Sequence, residues 1–166
     1  MVYNYTRRGE VLLLMTRVDF IKIASEKLKL IRIESDYTQD KMAEILGISK
    51  KTLVQIEKGR STLGWAGAVS LCTVFRNSEV LEMTFGGDPQ DIILSLAFTE
   101  YESNEKTLGG KVWWTNIKST DEFRIQQNII SEHYRILDGQ DRRICSSFDY
   151  EYIKKRLQEL SEERGV

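Results

Sequence analysis

Lys50, Lys51, Thr52 and Gln55 fall within six residues, and none of them has an obvious role in a core. Their chemistry is that of donors. An ammonium group can meet a phosphate or the acceptor edge of guanine, and a carboxamide can pair with both exposed positions of adenine. Lys58 and Arg60 follow closely and extend this local cluster of positive charge. No nucleophile stands beside a base, no glycine-rich phosphate loop is present, and a lone His133 with two distant cysteines offers no metal-ligand set. The residue types therefore favour binding over catalysis, with no enzyme activity, cofactor or metal expected.

The elements that must position these donors lie between Thr38 and Gly59. Met42, Ile45 and Leu46, with Ala43 beside them, mark one face of a short helix. Leu53 and Ile56 mark one face of a second. Gly47 lies between the two, where a tight turn calls for a positive φ. Ser49 stands where the second helix needs an N-cap, and Gly59 stands just past its end. Ile48 and Leu53 are expected to lock the second helix onto the first, leaving its outer face free. An αα-hairpin inside an ordinary helical core has the same apolar spacing. A helix-turn-helix adds to it a second helix able to enter the major groove.

Arg32, Thr38-Gln39, Ala43, Gly47, Ser49 and Glu57-Lys58-Gly59 agree in type and spacing with one known pattern. Over roughly residues 18–85 the chain resembles the phage-repressor (Cro/XRE) type of helix-turn-helix domain. Leu63 stands where such domains often have proline, which bears on the loop after the second helix. The resemblance implies a five-helix, repressor-like DNA-binding domain. It implies that Lys50, Lys51 and Gln55 contact base edges with Thr52 on the same face, and that Gln39, Ser49, Lys58 and Arg60 hold phosphates. It also favours an ion pair between Arg32 and Glu57, tying the first helix to the end of the recognition helix. The other reading of Arg32 is a surface arginine lying along apolar neighbours.

The rest of the chain is expected to surround this domain. Residues 1–14 lack helical or strand logic that connects to the helices beyond Met15. Either they are a non-native extension before a natural start at Met15, or they form an ordered arm. Phe20, Ile23, Leu28, Leu30 and Ile31 give a helix over about 18–35 its buried face. A helix over 65–75 contains Gly67, which costs roughly 1 kcal/mol in a helix interior and is explained by close approach of another helix. A short helix near 78–85 closes the domain at 15–87. Asp88-Pro89 opens a connecting helix whose apolar residues suit a dimer contact, and Glu100–Gly110 reads as a linker.

From Lys111 the apolar period changes to two. Segments at 111–118, 123–130, 133–138 and 142–148 predict a four-stranded antiparallel meander. Phe123, Ile125 and Ile129 should share one face, as should Tyr134 with Ile136 and Ile144 with Phe148. A final helix over 149–163 presents Ile153, Leu157 and Leu160 to the sheet. The fold class is therefore α+β, with a β domain over 111–166. Trp113-Trp114 suits either base or ligand stacking, or core packing and subunit contact. One of the pair, with Ile130, should lie on the open sheet face as a dimer interface.

Charge supports the division of labour. Residues 15–87 carry 11 Lys+Arg against 9 Asp+Glu, a net of +2, and residues 88–166 carry 11 against 15, a net of −4. No apolar run is long enough to span a bilayer, and Val11–Met15 is too short for a signal-peptide core, so no membrane association and a cytoplasmic location are expected. Cys72 and Cys145 read as buried free thiols. The sequence thus describes a DNA-binding transcriptional regulator, expected to bind double-stranded DNA as a homodimer on a palindromic operator. The alternatives are an interaction protein of antitoxin or coactivator type, and a small-molecule sensor whose effector is unidentified.

Overall fold

The computed structural model describes residues 5–7, 10–12, 15–98, 101–102 and 111–163. The chain divides into two compact units, residues 15–90 and residues 91–166 together with 1–14.

In the first unit, α1 (Arg17–Glu34) opens on a capping box. The Thr16 hydroxyl accepts from the Asp19 amide, and the Asp19 carboxylate accepts from the Thr16 amide at 2.9 Å. Hydrogen bonds to the carboxylate from the Thr16 hydroxyl, at 2.6 Å, and from the Thr16 amide hold the Asp19 carboxyl below its ordinary value. Phe20, Ala24, Leu28 and Ile31 are fully buried, at the spacing of one helical face. Leu30, expected among them, is 49% exposed, because it lies about 100° round the helix from Ile31. Next come α2 (Gln39–Leu46), α3 (Lys50–Glu57), α4 (Trp65–Val74) and α5 (Glu79–Phe85). α1 packs on α3, α4 and α5, and the Phe20 ring stacks on Phe85 with centroids 5.1 Å apart.

Two details of this unit depart from expectation. A Cβ on Gly67 would lie 3.1 Å from Leu63 Cδ2, so the close neighbour is the preceding loop and not another helix. Leu63 is buried, and its amide donates to the Ser25 hydroxyl at 2.9 Å. Proline at this position would remove that donor.

The second unit begins within α6 (Pro89–Ala97), where Ile92 and Ile93 are buried. Strands β4 (Trp114–Ser119), β5 (Phe123–Asn128), β6 (Tyr134–Asp138) and β7 (Arg143–Ser147) form the antiparallel meander. A two-residue strand, β3 (Tyr101–Glu102), pairs with β7 inside the stretch expected as linker and makes the sheet five-stranded, in the order β3-β7-β6-β5-β4. Lys111–Trp113 is a 3-10 turn and not the start of a strand. β5 ends at Asn128, so Ile129 leaves the strand face and is 52% exposed, and Phe148 falls outside β7.

Helix α7 (Tyr150–Glu163) covers one sheet face. Its Ile153, Leu157 and Leu160 pack with Phe123, Ile125, Tyr134, Ile136, Ile144 and Cys145 into one core. Residues 5–7 and 10–12, expected to lack strand logic, form an antiparallel pair, β1 (Tyr5–Arg7) and β2 (Glu10–Leu12). Arg7 pairs with Glu10, and the two intervening positions in the sequence include Gly9, a hairpin signal beside strands too short to show alternation. Cys72 and Cys145 are buried thiols, and burial pushes the Cys72 thiol up to about 12. Among the described residues no helix is long and apolar enough to cross a membrane.

Candidate nucleic-acid interface

Local chemistry fixes α2 and α3 at each end. The Thr38 hydroxyl accepts from the Lys41 amide at 3.1 Å, and the Ser49 hydroxyl accepts from the Thr52 amide at 3.0 Å. Gly47 has φ 66°, and the Ile48 amide behind it returns to the Ala43 carbonyl at 3.0 Å. An added Cβ at Gly47 would meet nothing within 4 Å, so the demand is conformational. A side chain there would cost roughly 1–2 kcal/mol. Gly59 repeats the device at the end of α3, with φ 68° and the Arg60 amide bonded to Gln55 O at 2.9 Å.

The inner side of α3 holds it in place. Leu53 and Ile56 are buried, and each contributes roughly 1.5–3 kcal/mol of burial. Met42, Ala43 and Leu46 supply the facing surface from α2. At the far end, Arg32 Nε and Nη2 donate to the two carboxylate oxygens of Glu57 at 2.6 and 3.2 Å. Arg32 Nη1 also donates to the Tyr37 carbonyl at 3.0 Å. Burial pushes the Glu57 carboxyl up, but hydrogen bonds from Arg32 and Gln39 and the Arg32 charge outweigh it and hold the group below the ordinary carboxylate value. The Arg32 guanidinium is shifted up by the hydrogen bond to Glu57.

The outer side of α3 is left to solvent. Lys50, Lys51 and Thr52 are exposed and Gln55 is half-buried on the same helix, while Ser49, Lys58 and Arg60 are exposed at its two ends. Three of the eight residues have partners that the sequence did not disclose, and the first is Thr52, whose hydroxyl meets that of Ser49 at 2.8 Å. The Gln39 carboxamide donates to Glu57 Oε2 at 2.8 Å and joins the Arg32–Glu57 network. Lys50 Nζ lies 2.6 Å from Asp40 Oδ2, at the first turn of α2. Asp40 has the helix-opening position of an acidic residue, the signal that could have revealed it.

The residues expected at a subunit contact are divided by the sheet. Trp114 lies flat against the Arg135 guanidinium, 3.6 Å from carbon to ring centroid, and edge-on to His133. Ile130 sits in the turn after β5, 44% exposed, with its amide held by Asn128 Oδ1. Trp113 is half-buried, and its carbonyl accepts from the Ile129 amide at 2.9 Å.

Residues 25–79 match the family model of a helix-turn-helix domain. Over 56 residues the chain is 41% identical to a protein of Pyrococcus horikoshii named "Putative HTH-type transcriptional regulatory protein". That match covers 34% of this chain and 18% of the relative, so the chain spans less than a fifth of it. No solved structure matches the chain.

Proposed function

From the premise that residues 25–79 are a helix-turn-helix domain, we propose that the chain is a sequence-specific DNA-binding transcriptional regulator. Helix α3 enters the major groove, with Lys50, Lys51 and Gln55 at base edges and Lys58, Arg60 and Ser49 at phosphates. The observation that carries this reading is the two-sidedness of α3. Its inner face is buried, and its outer face presents Lys50, Lys51 and Thr52 to solvent with Gln55 half-buried beside them. Such a helix reads few bases, so the working form is a dimer on a two-fold symmetric site. The exposed apolar groups at one end of the sheet, Val112, Ile129 and Ile130, support a contact there.

Selection of bound sites from random duplex DNA tests the proposal, and a symmetric motif is the expected result. Gln55→Ala should weaken binding to that motif by roughly 1–3 kcal/mol and relax selection at one base pair per half-site. An unchanged ratio between matched and mismatched sites would remove Gln55 from the reading face. Sedimentation equilibrium of the full chain at micromolar concentration should report a dimer, and Ile130→Asp should shift it to monomer.

A further inference from the structure

The sheet face opposite α7 is polar, yet it is withdrawn from water. Asn116, Gln126, Arg135 and Ser146 are successive cross-strand partners on β4, β5, β6 and β7. They form a single polar row. Gln126 Nε2 donates to Asn116 Oδ1 at 2.8 Å, and Gln126 Oε1 accepts from Arg135 Nε and Nη2 at 2.9 and 2.8 Å. Asn116 is exposed, so the row reaches solvent at the edge strand, while Gln126, Arg135 and Ser146 are 8%, 3% and 2% exposed.

The row lacks an acceptor at its buried end. Arg135 Nη1, Ser146 Oγ and His133 Nε2 are all buried without a hydrogen-bond partner among the described residues. By register Arg135 faces Ser146, and His133, just before β6, shares the Trp114 ring with Arg135. The other arginines of this face have acids: Arg143 pairs with Asp91 and Arg124 with Asp141. Among the described residues, Arg135 meets a neutral amide and the Trp114 ring and no acid. Burial, with the Arg124 charge beside it, pulls its guanidinium down to about 9. Buried charges are ordinarily paired, and a buried donor left without an acceptor costs its full desolvation.

We propose that this face binds a small oxyanion, a carboxylate or a phosphate, accepted by Arg135 and Ser146 with the imidazole of His133 as the third donor. One anion would answer all three open positions and supply the missing countercharge. His133 is suited to the role as a neutral group. Burial depresses it to about 3, its Nδ1 faces the Ser131 hydroxyl at 2.7 Å, and with that hydroxyl donating, Nε2 carries the hydrogen. Trp114 and Phe148 flank the imidazole, with centroids at 5.0 and 5.6 Å, which gives the site an aromatic wall.

The test uses the full chain without DNA, so it stands apart from the role of α3. Thermal unfolding is followed while sodium chloride is exchanged for sodium acetate, and separately for sodium phosphate, at constant ionic strength. The midpoint should rise saturably with one of the two anions, and tryptophan fluorescence should change over the same range. The anion that acts identifies the headgroup. Ser146→Ala, which removes only a hydroxyl without a partner, should weaken the apparent affinity by roughly ten-fold. Arg135→Met should abolish the response. Two results would each overturn the proposal: no rise above chloride with either anion, or a response in Ser146→Ala equal to that of the wild type.

Discussion

Arg32 and Arg135 are both withdrawn from water, and they are held by different chemistry. Arg32 meets a carboxylate through two N–H groups and a carbonyl through a third, and its side chain is 14% exposed. Arg135 is more deeply buried and, among the described residues, meets no acid, only Gln126 and an indole face. The first arrangement is closed: every strong partner comes from the helical unit itself, and the charge serves to fix α3 to α1. The second is open: among the described residues, Arg135 Nη1, Ser146 Oγ and His133 Nε2 have no hydrogen-bond partner. A buried ion is therefore not one kind of feature. Its meaning depends on whether the chain itself completes it.

That contrast can be broken most forcefully at Arg32. Arg32→Ala should destabilise the helical unit by roughly 3–5 kcal/mol, because Glu57 is left charged and 5% exposed. Hydrogen exchange at the Leu53 and Ile56 amides reads this unit by itself. A loss below about 1 kcal/mol would mean that the pair contributes no more than a surface one.

Acid should separate the two units by range. His133 titrates near 6.5 when unfolded and about 3 when folded. Between those values the unfolded state binds more protons, so stability falls as pH is lowered through this window. The loss amounts to roughly a few kcal/mol in the sheet unit. Glu57 and Asp19 are also depressed, so their contribution is lost only as pH falls below the ordinary carboxylate range. Exchange at the Ile136 amide should therefore accelerate at a higher pH than at Leu53, and His133→Gln should remove that difference.

The smallest expected effect is the most telling. Arg135→Met removes an uncompensated charge and keeps an unbranched stem against Trp114, so the sheet unit should change in stability by less than about 1 kcal/mol in anion-free buffer. A loss near that of Arg32→Ala would show that Gln126 and Trp114 already complete the site.

The helical unit was legible because its decisive signals are local. Thr38, Gly47, Ser49 and Gly59 each act on the neighbouring turn, and their types announce the caps and left-handed positions found there. The Arg32–Glu57 pair was accessible through resemblance, but Gln39 and Asp40 acquired partners that depend on how α2 and α3 cross. The sheet was legible on the face that α7 covers, where Phe123, Ile125, Tyr134 and Ile136 alternate with polar residues. Its other face was not. Arginine, glutamine and serine at alternate positions read as solvent-facing, yet β6 is buried along its whole length, on both faces. The bulges at Asn116/Lys118 and Ile136/Leu137, and the addition of β3, arise from pairing and leave no local trace.

The Lys50–Asp40 contact bears on how α3 would meet a duplex. On the proposed function, Lys50 would come to the groove already holding an anion, so its engagement would exchange one negative partner for another. Its net gain on any stretch of DNA would be smaller than that of a bare lysine, and it would shed fewer condensed cations. The acid on α2 would then act as a filter against indiscriminate adhesion, a weak one, since both side chains are largely exposed.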